Sequence, residues 1–135
     1  LTGENFKLPS EVQWYFAARG GNKSKGYCYA GSDSIDEVAW VGKNAQGHIQ
    51  NVGKLNPNEL GIYDMSGNVW EWCYDSYSNY SYSEEKNPVI DGGENRVIRG
   101  GGFKNTPSYC RTTYRGSKKY DGSAENIGFR LVLNE

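Results

Sequence analysis

The sequence predicts an irregular, helix-poor α+β domain, and three observations lead there. Glycine supplies 18 of 135 residues and aromatics 14%, while hydrophobic residues reach only 36%. A helical bundle would be rich in Ala, Leu, Glu and Lys instead, and a disordered chain would be poor in aromatics. Only one segment has a full set of helix signals, and few strand candidates stand between long Gly-, Asn-, Ser- and Asp-rich stretches at 20–36, 42–61, 75–95 and 104–126. The length suits one hydrophobic core and is too short for two, so residues 1–135 read as a single domain.

Ser10 to Arg19 is the expected helix. Ser10 followed by Gln13 makes a capping box, Val12, Tyr15, Phe16 and Arg19 recur near helical spacing, and Gly20-Gly21 supplies the stop. Val69 to Tyr74 is a strand candidate, and Arg96 to Arg99 another, running into Gly100-Gly101-Gly102. In Ile127-Gly-Phe-Arg-Leu-Val-Leu133 the odd-numbered positions are large and apolar, the period of a strand. So much irregular chain is unusual in a compact domain. It calls for bound metal, Trp and Tyr anchors, or its own polar contacts. No internal repeat is visible.

Several function classes are excluded early. With 15 basic against 16 acidic residues the net charge is −1, which leaves no phosphate-neutralising surface and no expected nucleic-acid partner. No apolar run approaches the roughly 18 residues of a membrane span, and nothing resembles a signal peptide. The chain opens at Leu1 and reads as a trimmed or excised piece. Cys28, Cys73 and Cys110 lie far apart without a C-x-x-C pair, and His48 is the only histidine, so a structural zinc site is excluded. One disulfide plus a free thiol, or three free thiols, both fit. His48, in a Gly/Asn/Gln loop, reads as an exposed residue, and Glu84-Glu85-Lys86 as a solvated face.

The densest signal is Leu60-Gly-Ile-Tyr-Asp-Met-Ser-Gly-Asn-Val-Trp-Glu-Trp-Cys73. Asp64 and Glu71 bracket a Gly-Asn turn, and two carboxylates with intervening backbone carbonyls are what a hard cation such as Ca²⁺ binds. Spacing alone favours a blander reading, in which Asp64 caps a turn and Glu71 pairs with an arginine.

This segment is one of four ordered motifs. Lys7-Leu-Pro-Ser-Glu-Val-Gln-Trp-Tyr-Phe-Ala-Ala-Arg-Gly-Gly21 precedes it, and Arg96-Val-Ile-Arg-Gly-Gly101 and Asn126-Ile-Gly-Phe-Arg130 follow. Together they closely resemble the formylglycine-generating enzyme, or sulfatase-modifying-factor, family across nearly the whole chain. The resemblance implies the family's irregular variant of the C-type-lectin-like fold, with short antiparallel strands and long loops, and a chain lacking the N-terminal part of the family domain. It also implies one calcium, held by the side chains of Asp64 and Glu71 and the carbonyls of Gly67 and Val69. A second family calcium is not expected, because Val38 falls where its Asn ligand would stand.

The family's active members bind Cu(I) through two cysteines and oxidise a cysteine of a C-x-P-x-R substrate. Soft thiolates suit Cu(I). Here the corresponding run is Gly100-Gly-Gly-Phe-Lys-Asn-Thr-Pro-Ser-Tyr-Cys110, with Gly102 for the motif's serine and Asn105 for its first cysteine. A neutral amide cannot replace a thiolate, so copper is not expected. Cys110 is the only catalytic candidate, should the chain be an oxidase; otherwise it reads as a buried thiol or disulfide partner. The family's histidine-dependent sulfoxide synthases are also excluded for this chain alone.

Two features point to binding. Tyr74-Asp-Ser-Tyr-Ser-Asn-Tyr-Ser-Tyr-Ser83 has the composition of an antibody paratope, which a solvated loop leaning its tyrosines on the core would match equally. The long polar segment 102–126 is laid out like the hypervariable segment of proteins diversified by retroelements. The expected function is a non-oxidase domain binding a protein, peptide or small molecule through loops 74–83 and 102–126. Trp70, Tyr109, Arg115 and Asn126 would line the family's groove, with Tyr77 and Tyr80 beside it. The alternative is a formylglycine-generating oxidase acting on a sulfatase cysteine, with copper displaced onto Cys110 and Cys73 or Cys28. The resemblance is to bacterial modules, with the cell surface or periplasm favoured over the cytoplasm.

Overall fold

A computed structural model describes residues 3–79 and 92–133. The helix forms where its local signals place it. α1 spans Glu11–Ala18, Ser10 is its N-cap, and both halves of the capping box are present: Ser10 Oγ accepts from the Gln13 amide at 3.2 Å and Gln13 Oε1 from the Ser10 amide at 2.9 Å. Gly20, at φ +96°, takes the chain out of the helix. Trp14 and Ala18 face the core, and Glu11 is buried with them.

Among the described residues there are six short strands, β1 (Phe6–Lys7) before α1, then β2 (Trp70–Ser76), β3 (Asn95–Arg99), β4 (Gly116–Lys119), β5 (Ile127–Gly128) and β6 (Val132–Leu133), with a short helix α2 (Ile35–Val38) between α1 and β2. One sheet has the order β4-β3-β2-β5 and a second pairs β1 with β6. The ladders are antiparallel except β2–β5, which is parallel. The expected strand over 127–133 is therefore split: Ile127 pairs with Trp70, whereas Val132 pairs with Lys7. Its apolar period does not mark a buried face either, since Phe129, Leu131 and Leu133 are all exposed. The segment 102–126 is more than a loop. It contains a 3-10 turn, Pro107–Cys110, and the edge strand β4.

Among the described residues, two apolar clusters stand out in the interior. Trp14, Ala18, Ala30, Met65, Cys73 and Val97 form one, and Ile35, Val38, Ala39, Val41 and Cys110 the other. Ser66 ties them together, its hydroxyl accepting from the Ala30 amide at 3.0 Å and donating to the Cys110 carbonyl at 2.7 Å. Gly67 lies beside this tie at φ +78°, and a Cβ there would fall 2.5 Å from the Trp40 carbonyl, so only glycine fits. Among the described residues no helix is long and apolar enough to cross a membrane.

Candidate functional site

The Asp64–Glu71 turn leads into β2. Asp64, Gly67 and Asn68 all have left-handed φ, at +58°, +78° and +67°, a strained run for non-glycine residues. Side-chain bonds to a distant loop hold it. Asp64 Oδ2 accepts from the Gly53 amide at 2.8 Å, and Asn68 pairs through Oδ1 and Nδ2 with the backbone of Gln50 at 2.9 and 3.0 Å. Asp64 thus caps a loop eleven residues upstream in sequence, not its own turn. Its other oxygen, Oδ1, is buried and without a hydrogen-bond partner.

Glu71 is buried and fully oriented. Its Oε1 accepts from Trp14 Nε1 at 2.8 Å and from Arg130 Nε at 2.7 Å, and its Oε2 from Arg130 Nη2 at 2.7 Å. Arg130 Nη2 also reaches the carbonyls of Tyr63 and Asp64, at 3.0 and 3.2 Å. Burial pulls the guanidinium pKa down, but its bonds to Glu71 and the charges of Glu71 and Asp64 outweigh this and raise it. Asp64, Asn68, Val69, Glu71 and Arg130 line a cavity of about 370 Å³, rimmed by Val52, Tyr63 and Phe129. The arginine partner expected of Glu71 is therefore present, alongside an open carboxylate oxygen of Asp64. Among the described residues no three His, Cys, Asp or Glu side chains converge. A cation here would have to use backbone carbonyls such as those of Gly67 and Val69. Asp64 Oδ1, unpartnered, and the Glu71 carboxylate are the acidic oxygens bordering this otherwise mostly apolar cavity, the oxygen chemistry a hard divalent ion would need.

On the neighbouring face Trp70 meets two tyrosines. Its ring centroid lies 6.3 Å from Tyr109 and 5.9 Å from Tyr114, and the tyrosines stand 4.9 Å apart, edge to face. Trp70 is buried while both tyrosines are partly exposed, so the cluster presents an aromatic surface on a fixed base. Asn105 Oδ1 fixes that base, accepting from Trp70 Nε1 at 2.8 Å and from the Gly102 amide at 2.9 Å. The Asn126 carbonyl accepts from the Trp70 amide at 2.7 Å. Of the residues expected to line the groove, Trp70, Tyr109 and Asn126 do come together.

Arg115 does not join them. Its guanidinium bonds to Glu11 through Nε at 2.6 Å and Nη2 at 2.7 Å, donates to the Ser78 carbonyl at 2.8 Å, and lies 4.7 Å from the Tyr77 ring centroid. Buried Glu11 attracts it, so Arg115 and Tyr77 pin the chain as it leaves β2, which takes up residues 74–76 of the loop expected over 74–83. Tyr80 lies outside the described residues. Sequence reasoning missed Tyr114, Asn105 as a hydrogen-bond acceptor, and the buried cluster of Glu11, Arg99 and Arg115. The acid of Pro9-Ser-Glu11 and the second arginine of Arg96-Val-Ile-Arg99 were the available signals, because paired charges near apolar residues need partners when buried.

Cys110 is fully buried in the second core cluster, and burial pushes its thiol up to about 12 despite a hydrogen bond from Gly67. Cys73 lies in the first cluster, and its pKa is raised well above the ordinary value, again by burial first. Cys28 is exposed, and all three are free.

Fold and motifs together define a formylglycine-generating-enzyme-like domain. The chain matches the sulfatase-modifying factor enzyme 1-like domain over residues 2–135, and it belongs to that family. It is 34% identical to the formylglycine-generating enzyme of Streptomyces coelicolor, over 93% of this chain and 46% of that protein. It is 33% identical to the chaperone protein LppX of Paenibacillus barcinonensis, over 96% and 50%, and 32% identical to the mouse inactive C-alpha-formylglycine-generating enzyme 2, over 93% and 42%. Among solved structures, Treponema denticola variable protein 1 superposes with a TM-score of 0.87 at 30% identity, over 95% of this chain and 47% of that one. The chain thus spans about half the length of the relatives it matches.

Proposed function

We propose that this chain is a non-oxidase binding domain of the family, with the surface of Trp70, Tyr109 and Tyr114 as the centre of its contact face. One observation carries the reading. Where the family's oxidases place a copper thiolate, Asn105 offers an amide oxygen already taken by Trp70 Nε1 and the Gly102 amide. The same substitution that removes the copper ligand braces the aromatic base. Cu(I) prefers two soft sulfurs, and Cys73 and Cys110 are committed to different core clusters. Relatives that are not oxidases by name, the inactive enzyme 2 and the variable protein, support the reading.

Ligand contact would come from the exposed residues of segment 102–126 around the aromatic surface, and the ligand class is a protein, a peptide or a small molecule. The likeness to a variable protein favours a display role, in which side chains such as Lys104, Thr106 and Ser108 differ between versions of the domain. One calcium at Asp64, Glu71 and the carbonyls of Gly67 and Val69 would stiffen the turn that delivers Trp70. The orphaned Asp64 Oδ1 supports it.

The oxidase alternative is tested directly. The purified chain, given Cu(I), O₂, reductant and a C-x-P-x-R peptide, should yield no aldehyde by mass spectrometry. An aldehyde product that disappears on Cys110→Ala would overturn the proposal.

A further inference from the structure

We propose that Arg130 is the built-in counter-cation of the Asp64–Glu71 turn: a positioning residue that keeps the turn assembled without metal and holds down its affinity for divalent cations. The inference rests on the calcium reading above.

Three observations support it. Arg130 spans both ends of the turn, since the same Nη2 that meets Glu71 Oε2 also reaches the Tyr63 and Asp64 carbonyls. A calcium ion in this position would likewise neutralise acid and gather carbonyl oxygens. Second, the oxygen count is divided. Trp14 and Arg130 together supply two donors to Glu71 Oε1, which fills its lone pairs. Oε2 has one donor and Asp64 Oδ1 has none. An entering divalent ion would find Asp64 open and Glu71 half-spent. Third, the carboxylates of Asp64 and Glu71 against one guanidinium leave a single net negative charge, so an entering divalent ion is attracted less than two unpaired carboxylates would attract it. The Arg130 side chain is 28% exposed, so it has room to tilt outward when a metal takes its place.

The test uses the full chain as wild type, Arg130→Gln and Arg130→Lys. Tb³⁺ luminescence, sensitised through Trp14 beside Glu71, is titrated and displaced with Ca²⁺, and melting is followed in calcium and in chelator. Arg130→Gln should bind Ca²⁺ about tenfold more tightly than wild type, because a repelling charge is gone. In chelator it should melt lower than wild type, and calcium should restore most of the loss. Arg130→Lys, which keeps the charge, should bind within about threefold of wild type.

Equal or weaker binding by Arg130→Gln would overturn the proposal while leaving the calcium site standing. So would an Arg130→Gln protein that calcium cannot refold, since the proposal holds that metal can replace the guanidinium. If neither wild type nor Arg130→Gln binds Tb³⁺ or Ca²⁺, the calcium reading itself fails and this inference falls with it.

Discussion

Replacing Glu11 with Gln should be the most damaging isosteric change in the domain. Glu11 Oε2 accepts from Arg99 Nε at 2.8 Å, Arg99 Nη2 at 2.8 Å and Arg115 Nε at 2.6 Å, and Oε1 accepts from Arg115 Nη2 at 2.7 Å. Arg99 is 0% exposed and Glu11 4%. Glutamine removes the charge and turns one acceptor into a donor facing guanidinium N–H groups. Breaking a buried ion pair from one side costs about 3–5 kcal/mol because the partner's charge stays buried. Against a typical stability of about 5–15 kcal/mol that is a large share. At roughly 4 °C per kcal/mol for a chain of this size, the melting temperature should fall by about 12–20 °C. Asp36→Asn, at the exposed Lys43–Asp36 pair, is the control and should shift stability by less than about 1 kcal/mol. The pH dependence has a definite sign. Burial pushes the Glu11 carboxyl up, but the arginines' hydrogen bonds and charges outweigh it and leave the folded pKa below the ordinary value. Its contribution is therefore complete above the ordinary carboxylate range, about pH 4.3, and is lost as pH falls through the lowered folded value. Denaturant unfolding of wild type and variant across the acid range reads both effects. A loss below about 1 kcal/mol at neutral pH, or an unchanged acid profile, would refute the assignment of Glu11 as the keystone of the cluster.

Asn105→Ala should strand Trp70 Nε1 and the Gly102 amide, at a cost of about 1–3 kcal/mol by urea unfolding, with a change in tryptophan emission as the indole loses its acceptor. Combined changes at the exposed Lys104, Thr106, Ser108 and Lys119 should each stay within about 0.5 kcal/mol in thermal melts; a cooperative loss of folding would place them in the core and remove them as display positions.

Legibility followed sequence distance. α1 was readable because every determinant of its start lies between Ser10 and Gln13, and β3 because its apolar residues follow one another. β4, Gly-Ser-Lys-Lys, has no strand pattern; it forms because β3 offers a free edge. The C-terminal strand was seen as one because its period is unbroken, yet its two ends pair with β2 and β1, elements that no local rule connects. The site behaved the same way. That Asn105 carries an amide and not a thiolate was legible in the sequence, whereas its grip on Trp70, 35 residues away, was not. Arg115 was misplaced because Glu11, 104 residues upstream, outcompetes the groove for it. Asp64 and Glu71 stand out in the sequence as a carboxylate pair, whereas Arg130, which bonds to Glu71 across 59 residues, shows there only as the end of a motif.

The ion cluster at Glu11 also constrains how the chain reaches its folded state. The contact that buries Glu11 closes a loop of 104 residues, and the one that orients Trp14 closes 57. Closing such loops costs entropy before any bond is gained, and folds dominated by distant pairings are slow to form. Helix α1 can coil early, but its buried acid waits for arginines from the far end of the chain. During synthesis residues 11–98 would therefore emerge with Glu11 and Glu71 lacking their arginine partners, and the cluster would close late, as Arg99, Arg115 and then Arg130 arrive.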